Sequence, residues 1–306
     1  MSRVEEFERL RPLLFAIAYR ILGSVGEAED AVQETWLRWD GSATRARSAK
    51  AFLSATVTRI SIDVLRSARR QRETYPGLWL PEPVLEERYE DPARAAELAD
   101  SLSTAALLLL ERLTPLERAV FVLRDVFGFE FAEIATAVER SETACRQLAV
   151  RARRHMAEGR PRFAAGAEER QALAARFLDA LRDGDVEQLK EVLSADVQAI
   201  GDAGGKAPAL ANAVVGVDKV VRVLVAVFPS LAGIGATMES HAVNGQPGAV
   251  LRDRDGKVVN TLTLDILGGR IQAIRFVLNP DKLDHLGPVA DPWAFAHEVR
   301  QARRTS

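Results

Sequence analysis

The fold of the N-terminal half of this chain follows from the stretch between Thr114 and Arg154, which reads TPLERAVFVLRDVFGFEFAEIATAVERSETACRQLAVRARR. Its middle carries apolar residues at helical spacing, which predicts a short amphipathic helix, and these residues are Phe131, Ile134, Ala135 and Val138. Glu139 and Arg140 interrupt that pattern as a tight turn would, and Ser141 can then cap a second helix. Two short helices joined by a tight turn predict a helix-turn-helix, whose second helix enters the major groove of DNA.

The predicted second helix has an apolar side and a basic side. Its apolar side consists of Ala144, Leu148 and Ala152. The polar side supplies the candidate DNA contacts, which are Ser141, Thr143, Arg146, Gln147, Arg151, Arg153 and Arg154. Seven arginines stand against two glutamates between residues 140 and 162, and this local excess favours phosphate binding. An ordinary helical hairpin with a solvated basic face is the alternative interpretation.

Composition limits the remaining function classes. The 306 residues suffice for two or three domains, and 47% hydrophobic with 27% charged residues is typical of a globular chain. A net charge of −2 gives no nucleic-acid signal for the whole molecule, so any such signal must be local. The single cysteine, Cys145, excludes an internal disulfide framework and a multi-cysteine metal cluster. With no recognisable signal peptide or membrane-spanning run, we expect a cytoplasmic protein without metal or cofactor.

The composition changes along the chain and predicts several domains. Residues 1–166 contain 24 arginines but only one lysine, whereas most glycines and the alternating β-branched runs follow residue 167. Four prolines between residues 74 and 92 prevent a continuous helix there. The predicted boundaries are an N-terminal bundle at 1–73, a linker at 74–100, the helix-turn-helix domain at 101–163, a C-terminal domain at 167–286 and a tail at 287–306.

Three helices fit the N-terminal bundle, and their predicted bounds are Phe7–Leu22, Val25–Trp39 and Ala49–Arg72. The second helix presents an acidic face, while the third ends in a basic stretch that contains Arg59, Arg66, Arg69 and Arg70. An acidic face suits a basic protein partner, and a basic face suits phosphate. A three-helix bundle with solvated charges is the alternative.

Two segments resemble the extracytoplasmic-function sigma factors of RNA polymerase. AEDAVQETWLRW at 28–39 and AFLSATVTRISIDVLRSARRQR at 51–72 resemble region 2 of that family, and 113–154 resembles region 4. The resemblance implies that the second helix contacts the β′ subunit of polymerase core through Asp30, Gln33 and Trp36. It also implies that the third helix and the loop before it open the promoter and read the minus-ten element. The helix-turn-helix would read the minus-thirty-five element.

One departure from the family lies in the loop Asp40–Arg47, which is short and has no aromatic residue. No residue can therefore be assigned to hold a flipped base.

The linker carries a narrower resemblance. TYPGLWLPEPV at 74–84 resembles the Trp-Leu-Pro-Glu-Pro motif of the sigma-factor subgroup with a fused SnoaL-like domain, although a disordered spacer is the alternative. Two further motifs match that subgroup, at 202–206, where Ala203 replaces the usual glycine, and at 279–283. We expect a clasp between domains in which Lys206, Asp281 and Lys282 pair with Glu82 and backbone groups. Its candidate residues are Trp79, Leu80, Pro81, Glu82, Pro83, Asp202, Gly204, Gly205, Lys206, Asn279, Pro280, Asp281, Lys282 and Leu283.

The C-terminal domain has the pattern of helices followed by an antiparallel sheet. The predicted helices are 168–182, 185–194 and 216–228, and the predicted strands are 197–200, 236–243, 248–253, 257–266 and 270–278, with a hairpin at Gly268 and Gly269. This order predicts an α+β cone with an internal pocket, as in SnoaL-like proteins. The whole chain is thus predicted to be multidomain, with two all-α sigma domains, namely a helical bundle and a helix-turn-helix, followed by that cone.

Catalysis is the remaining question for the cone. The candidate acid–base residues are Asp202, Lys206, His241 and Asp265, but the sequence shows no positioned histidine–carboxylate pair. Asp202, in a glycine-rich loop, is interpreted as a turn residue. We therefore predict a sigma factor that is not an enzyme, whose activity is tuned by surface loops of the cone that dock on the sigma domains. A pocket in the cone that binds an unidentified small molecule is the alternative role of that domain. Two alternatives stay open: a SnoaL-type isomerase or hydrolase with a DNA-binding appendage, and a one-component regulator that ignores polymerase.

Overall fold

The protein is described here by a computed structural model, which covers residues 2–42, 48–72, 74–85, 103–157, 166–208 and 212–305. The chain divides into two compact units. The first combines Met1–Thr74 with Asp91–Arg160, and the second combines Tyr75–Glu90 with Pro161–Ser306. Several sequence predictions fall outside the described residues: most of the loop Asp40–Arg47, the linker after Leu85, and the boundary around 158–165. No helix in the described ranges combines the length and apolar character that a membrane span requires.

The first unit begins with the three predicted helices, α1 (Arg3–Leu22), α2 (Val25–Asp40) and α3 (Ala49–Arg72). Helix α1 starts four residues earlier than its apolar pattern predicts, because Ser2 and Glu5 form a capping box that stabilises its first turn. Gly23 ends α1 with a left-handed φ of 73°, and Ser24 then caps α2. Local capping residues therefore define the tight corner between the first two helices.

The helix-turn-helix is confirmed. It follows α4 (Thr104–Leu110), α5 (Pro115–Phe121) and a short π-helical turn (Val122–Val126), and it consists of α6 (Phe131–Val138) and α7 (Glu142–Ala157). Glu139 adopts the left-handed conformation at φ 54° and makes the turn between them. The buried side of α7 consists of Cys145, Leu148, Ala149, Ala152 and Met156, while Ala144 is only half-buried.

The three-helix bundle and the helix-turn-helix pack into one body, mainly through α3 against α5 and α6. The guanidinium of Arg118, on α5, is almost fully buried and donates to the carbonyl of Arg20 at 2.9 Å. At the surface, Arg59 of α3 pairs with Glu139 in the turn at 3.0 Å. A promoter-facing candidate in the bundle is therefore held against the turn of the helix-turn-helix.

The second unit is a six-stranded sheet packed under helices. Its helices are α8 (Ala167–Asp183), α9 (Val186–Val192) and α10 (Val217–Val225), and its strands are β1 (Leu193–Asp202), β2 (Val214–Val215), β3 (Thr237–Val243), β4 (Gln246–Arg252), β5 (Val258–Leu267) and β6 (Arg270–Val277). The strand order is β2-β1-β6-β5-β4-β3, and all neighbours are antiparallel except β1 and β6. Apolar residues of the sheet and the three helices share one core, as the predicted α+β cone requires.

Some predicted bounds in this unit differ from the structure, and one helix was not predicted. The helix predicted to reach residue 194 ends at Val192, because Leu193 already pairs with Ile271 in the parallel β1–β6 ladder. The predicted tail contains a further helix, α11 (Pro292–Thr305), whose inner residues Phe295 and Val299 close a second apolar cluster. The hairpin at Gly268 and Gly269 is confirmed, with φ values of 58° and 69° that suit a type I′ turn.

Candidate functional site

Asp202, the last residue of β1, is the centre of a buried network that binds the segment Tyr75–Leu85. Its side chain has no solvent exposure. One carboxylate oxygen accepts hydrogen bonds from the Leu80 amide and the Lys282 ammonium, both at 2.7 Å. The other oxygen accepts from the Tyr75 hydroxyl at 2.6 Å. Asp202 is thus a buried anchor, and its interpretation as a turn residue is wrong.

The Lys282 ammonium completes this network between two aromatic rings. It lies 4.3 Å from the centre of the Trp79 ring and 5.0 Å from that of Tyr75, and it also donates to the Leu80 carbonyl. Only 8% of its side chain is exposed. Because an ammonium is costly to bury without a counter-charge, the Asp202 carboxylate and the aromatic faces together make this position tolerable. We call the contacts of residues 75–85 with Asp202, Asn279 and Lys282 the clasp.

Tyr75 links the clasp to Asn279. Burial raises the pKa of the Tyr75 hydroxyl, and its hydrogen bond to the Asp202 carboxylate raises that pKa further. The hydroxyl therefore stays protonated as a donor, while it accepts a hydrogen bond from the Asn279 side-chain amide at 2.8 Å. The Asn279 carbonyl oxygen in turn accepts from the Asp281 amide at 3.2 Å. The donor and the acceptor of each hydrogen bond in this series are therefore assigned.

The glycines of the first motif are needed for close approach. Gly204 has a φ of 55°, and a Cβ atom there would lie 2.3 Å from the Asn279 side-chain nitrogen. Gly205 has a φ of 72° and leaves only 3.1 Å between such an atom and Pro76. A side chain at either position would push the linker away from the cone. Beside them, Lys206 pairs with Asp281 at the surface.

A second group of contacts holds the end of the same segment. Val84 and Asn244 exchange two hydrogen bonds, at 2.6 and 2.8 Å, and Leu85 forms a bridge with Val243. A ring nitrogen of His285 lies 2.6 Å from the Pro83 carbonyl. Sequence reasoning missed Tyr75, Asn244 and His285. The Asn-Gly pair at 244–245 signals a hairpin, but nothing local indicates that its side chain binds the linker.

The structure gives the lysines of the clasp the following partners. Lys206 pairs with Asp281. Lys282 pairs with the Asp202 carboxylate, which was not predicted as its partner, and with a backbone group, the Leu80 carbonyl, as predicted. The reason is burial: an ammonium enclosed by rings is stabilised by the carboxylate that is enclosed with it. The remaining clasp candidates line the same segment or its support, with Leu80, Pro81, Pro83 and Leu283 buried and Trp79, Glu82 and Pro280 half-buried.

The four acid–base candidates do not assemble into a catalytic site among the described residues. Asp202 and Lys206 belong to the contacts just described. Asp265 instead pairs with Arg275, and burial lowers the pKa of that guanidinium to about 10. His241 lies on β3, 3.5 Å from Glu239, whose carboxylate also binds Arg252. The four candidates thus pair with different side chains and do not meet in one site.

The acidic face of α2 is exposed. Asp30 and Gln33 point to solvent, as the resemblance implies for a polymerase contact. Trp36 is half-buried, because its ring packs against Phe7 with 5.0 Å between the ring centres. Leu37, which follows it, is 59% exposed and adds an apolar element to the same surface.

The basic face of α7 is also exposed, and its predicted residues, Ser141, Thr143, Arg146, Gln147, Arg151, Arg153 and Arg154, all reach solvent. Three of the arginines have carboxylate partners: Arg146 with Glu142 at 2.8 Å, Arg151 with Glu117 at 2.9 Å and Arg153 with Asp125 at 2.7 Å. Burial would raise the pKa of Glu117, but hydrogen bonds from Arg151 and Thr114 lower it overall.

On α3, Arg59 and Arg66 are paired with Glu139 and Asp63 respectively. The side chains of Arg69 and Arg70 lie outside the described residues. The basic candidates of the bundle that can be placed are therefore already neutralised by carboxylates of the first unit.

Comparisons with known proteins agree with this arrangement. Residues 7–71 match the Sigma-70 region 2 family model, and residues 103–156 match that of Sigma-70 region 4. The chain is 38% identical over 289 residues to the ECF RNA polymerase sigma factor SigJ of Mycobacterium tuberculosis, covering 91% of this chain and 92% of SigJ. It is 32% identical to the probable ECF RNA polymerase sigma factor SigI of the same organism, covering 90% and 93%.

The crystal structure of Mycobacterium tuberculosis SigJ superposes with a TM-score of 0.72 at 36% identity, covering 92% of this chain and 98% of that one. The similarity thus extends over both sigma regions and the C-terminal SnoaL-like cone. The described helices and sheet follow the same order, with a helical bundle, a helix-turn-helix and then the cone. This chain belongs to the extracytoplasmic-function RNA polymerase sigma factors.

Proposed function

We propose that this sigma factor recruits polymerase core in the cytoplasm through α2, reads promoter DNA through α3 and α7, and is tuned by its C-terminal cone through the clasp. The buried Asp202–Lys282 pair carries this proposal, because it fixes the connection between the two sigma regions to the cone. The protein itself performs no covalent chemistry. Its two macromolecular partners are core enzyme and the promoter duplex.

The polymerase surface of the proposal is the exposed face of α2, with the β′ subunit as partner. Asp30 and Gln33 are accessible there and provide polar contacts to a basic surface. Exposed Leu37 and half-buried Trp36 provide apolar area beside them. Interfaces that combine an aromatic anchor with a charged rim bind specifically at modest size.

The promoter surface of the proposal is α7, with α3 as the second contact. Arg146 and Gln147 lie near the start of α7, where base edges come within reach, while Arg151, Arg153 and Arg154 lie further along, among phosphates. The carboxylates that now pair with Arg146, Arg151 and Arg153 would be replaced by DNA phosphates. Arg146 and Glu142 are both exposed, so their exchange costs little, whereas Glu117 is buried and keeps its hydrogen bonds to Thr114 when Arg151 leaves.

The first unit must open for both promoter elements to be bound together. The two elements are centred about 25 base pairs apart, or about 85 Å at 3.4 Å per base pair. A compact body of about 140 residues has a radius of gyration of about 15 Å and is roughly 40 Å across. The contacts between α3 and the helix-turn-helix, such as Arg59–Glu139, therefore belong to a closed state.

The clasp acts on that opening through the length of the connection between α3 and α4. Residues 75–85 of this connection are held by the cone through Asp202, Lys282 and Asn244. Their release would add up to about 37 Å of extended chain to the free connection. The clasp thus favours the closed state, and a partner or ligand that loosens it favours the open state.

Trp79→Ala tests this mechanism, because it removes the ring 4.3 Å from the Lys282 ammonium without touching either sigma surface. We expect transcription by reconstituted holoenzyme to rise several-fold at limiting concentration, with unchanged affinity for core. The matched control is Leu78→Ala, since Leu78 is the adjacent apolar residue and is 41% exposed. Equal transcription by wild type, Trp79→Ala and Leu78→Ala would reject the clasp as a regulator.

A small-molecule ligand in the cone is a further part of the proposal. Asn260, on β5, is 7% exposed, and its side-chain oxygen is buried without a hydrogen-bond partner among the described residues. It pairs in register with Leu251, which belongs to the apolar cluster that α11 closes. A mostly apolar molecule with one hydrogen-bond donor fits such surroundings.

A further inference from the structure

The outward face of α11 carries a regular stripe of one aromatic and several basic side chains. Trp293, His297, Arg300 and Arg304 stand at positions i, i+4, i+7 and i+11, which coincide on one side of a helix. All four are exposed, and Trp293 is 54% exposed. Arg303 is exposed at the edge of the same face. The stripe is therefore a continuous surface.

The opposite face of α11 holds the helix firmly in place. Phe295 and Val299 pack into the apolar cluster that also contains Leu231, Leu251 and Val259. The Asp291 carboxylate caps the first turn by accepting hydrogen bonds from the amides of Trp293 and Ala294, at 2.8 and 3.0 Å. The stripe is thus presented by a docked and capped helix.

The charge of the stripe is uncompensated. Glu298 is the acidic residue within α11, and it pairs with Arg254 on the neighbouring loop. Arg300, Arg303 and Arg304 make no ion pair with any described residue. The arginines of α7 differ, because three of them are paired with carboxylates. An exposed tryptophan beside unpaired arginines is the combination that binds a polyanion, through ionic contacts and an indole donor.

We propose that α11 is a sequence-independent contact to the DNA backbone, made in addition to those of the two sigma regions. The three arginines would each neutralise a phosphate, and Trp293 would pack on the sugar–phosphate edge. Duplex DNA presents one charge per about 1.7 Å of its axis, so a helix of this length faces several phosphates. Contacts to phosphate position a protein without reading bases. The inference does not require the clasp to act as a regulator.

The test is the salt dependence of duplex binding by the complete holoenzyme, with the triple variant Arg300→Gln/Arg303→Gln/Arg304→Gln. Three lost phosphate contacts should reduce the slope of log K against log salt by roughly 2.7. Between 50 and 200 mM salt, wild type should then lose about 40-fold more affinity than the variant. The change should be equal on promoter and non-promoter duplexes.

The matched control is Lys219→Gln/Arg222→Gln/Lys257→Gln, which removes three exposed cations from other parts of the same unit. This variant should keep the wild-type slope. An unchanged slope in the α11 variant would overturn the proposal. If the α11 variant keeps the wild-type slope but binds core polymerase more weakly, the stripe contacts an acidic protein surface, and the DNA proposal is overturned in that case too. Arg154→Ala, on α7, should change the slope in either case, so failure here is distinguishable from failure of promoter binding by the sigma regions.

Discussion

The clasp and the recognition helix α7 both contain pairs of opposite charges, but in opposite surroundings. In the clasp, Asp202 has no exposed side-chain surface and Lys282 has 8%. On α7, Arg146 is 56% exposed and its partner Glu142 is 45% exposed, although the two charged groups lie nearly as close, at 2.8 Å. Distance alone therefore does not distinguish the two sites, whereas solvent exposure does.

One chain thus uses the same pairing chemistry for two purposes. A buried pair cannot lose one partner without leaving an uncompensated charge, so it holds structure in place. An exposed pair is screened by water and salt, so its arginine can change partners at little cost. The clasp is suited to holding residues 75–85 on the cone, and α7 is suited to exchanging carboxylates for phosphates.

The largest expected effect comes from Lys282→Met, which leaves the Asp202 carboxylate buried without its cation. We expect a loss of about 3–5 kcal/mol in the free energy of unfolding of the second unit. Lys206→Met is the matched control, because it breaks an exposed pair in the same unit and should cost at most about 1 kcal/mol. Urea unfolding followed by tryptophan fluorescence measures both.

The double variant Asp202→Asn/Lys282→Met tests whether the unpaired Asp202 carboxylate causes the loss of stability. Asparagine can still accept the hydrogen bond from Leu80, and no charge is left buried. We expect the double variant to be more stable than Lys282→Met by about 1–3 kcal/mol. A double variant that is less stable than either single one would mean that the pair is not the source of the effect.

A smaller effect is expected on α7, where Arg146→Ala should weaken promoter binding by about 1–3 kcal/mol and relax sequence preference at one or two positions. Arg154→Ala should weaken binding to all sequences alike and lower the salt slope by about 1. Binding to a panel of single-base promoter variants at several salt concentrations separates the two. Identical sequence profiles for both variants would show that α7 lies differently in the groove.

The smallest expected effect concerns Glu117, the buried partner of Arg151, and the pH dependence of stability that it causes. Hydrogen bonds from Arg151 and Thr114 keep the pKa of Glu117 below its usual value. Glu117 therefore stabilises the first unit above the unfolded-state pKa of about 4.3, and this contribution disappears as pH falls through the lower folded-state pKa. In Glu117→Gln, stability should fall less between pH 5 and 3 than in wild type, by less than about 1 kcal/mol. Parallel pH profiles of thermal unfolding for the two proteins would contradict this.

Local sequence patterns were sufficient for most elements of the fold. Helical spacing located the helix-turn-helix, and α3 was predicted with its observed bounds. The Gly268–Gly269 hairpin was predicted because its two residues favour positive φ. In contrast, the end of α9 was misplaced, because Leu193 enters a strand only by pairing with Ile271, far away in the sequence.

The two sigma regions, the cone and the positions of the clasp motifs follow from local sequence, because caps, periodicity and turn residues act within a few positions. The partner of Lys282, which is Asp202, 80 residues away, emerges only from the packing of the folded chain. That packing also places residues 75–85 with the cone and the α3 helix against the helix-turn-helix. The physical reason is that a buried charge takes the partner that is buried with it, and burial is a property of the packed chain rather than of a local pattern.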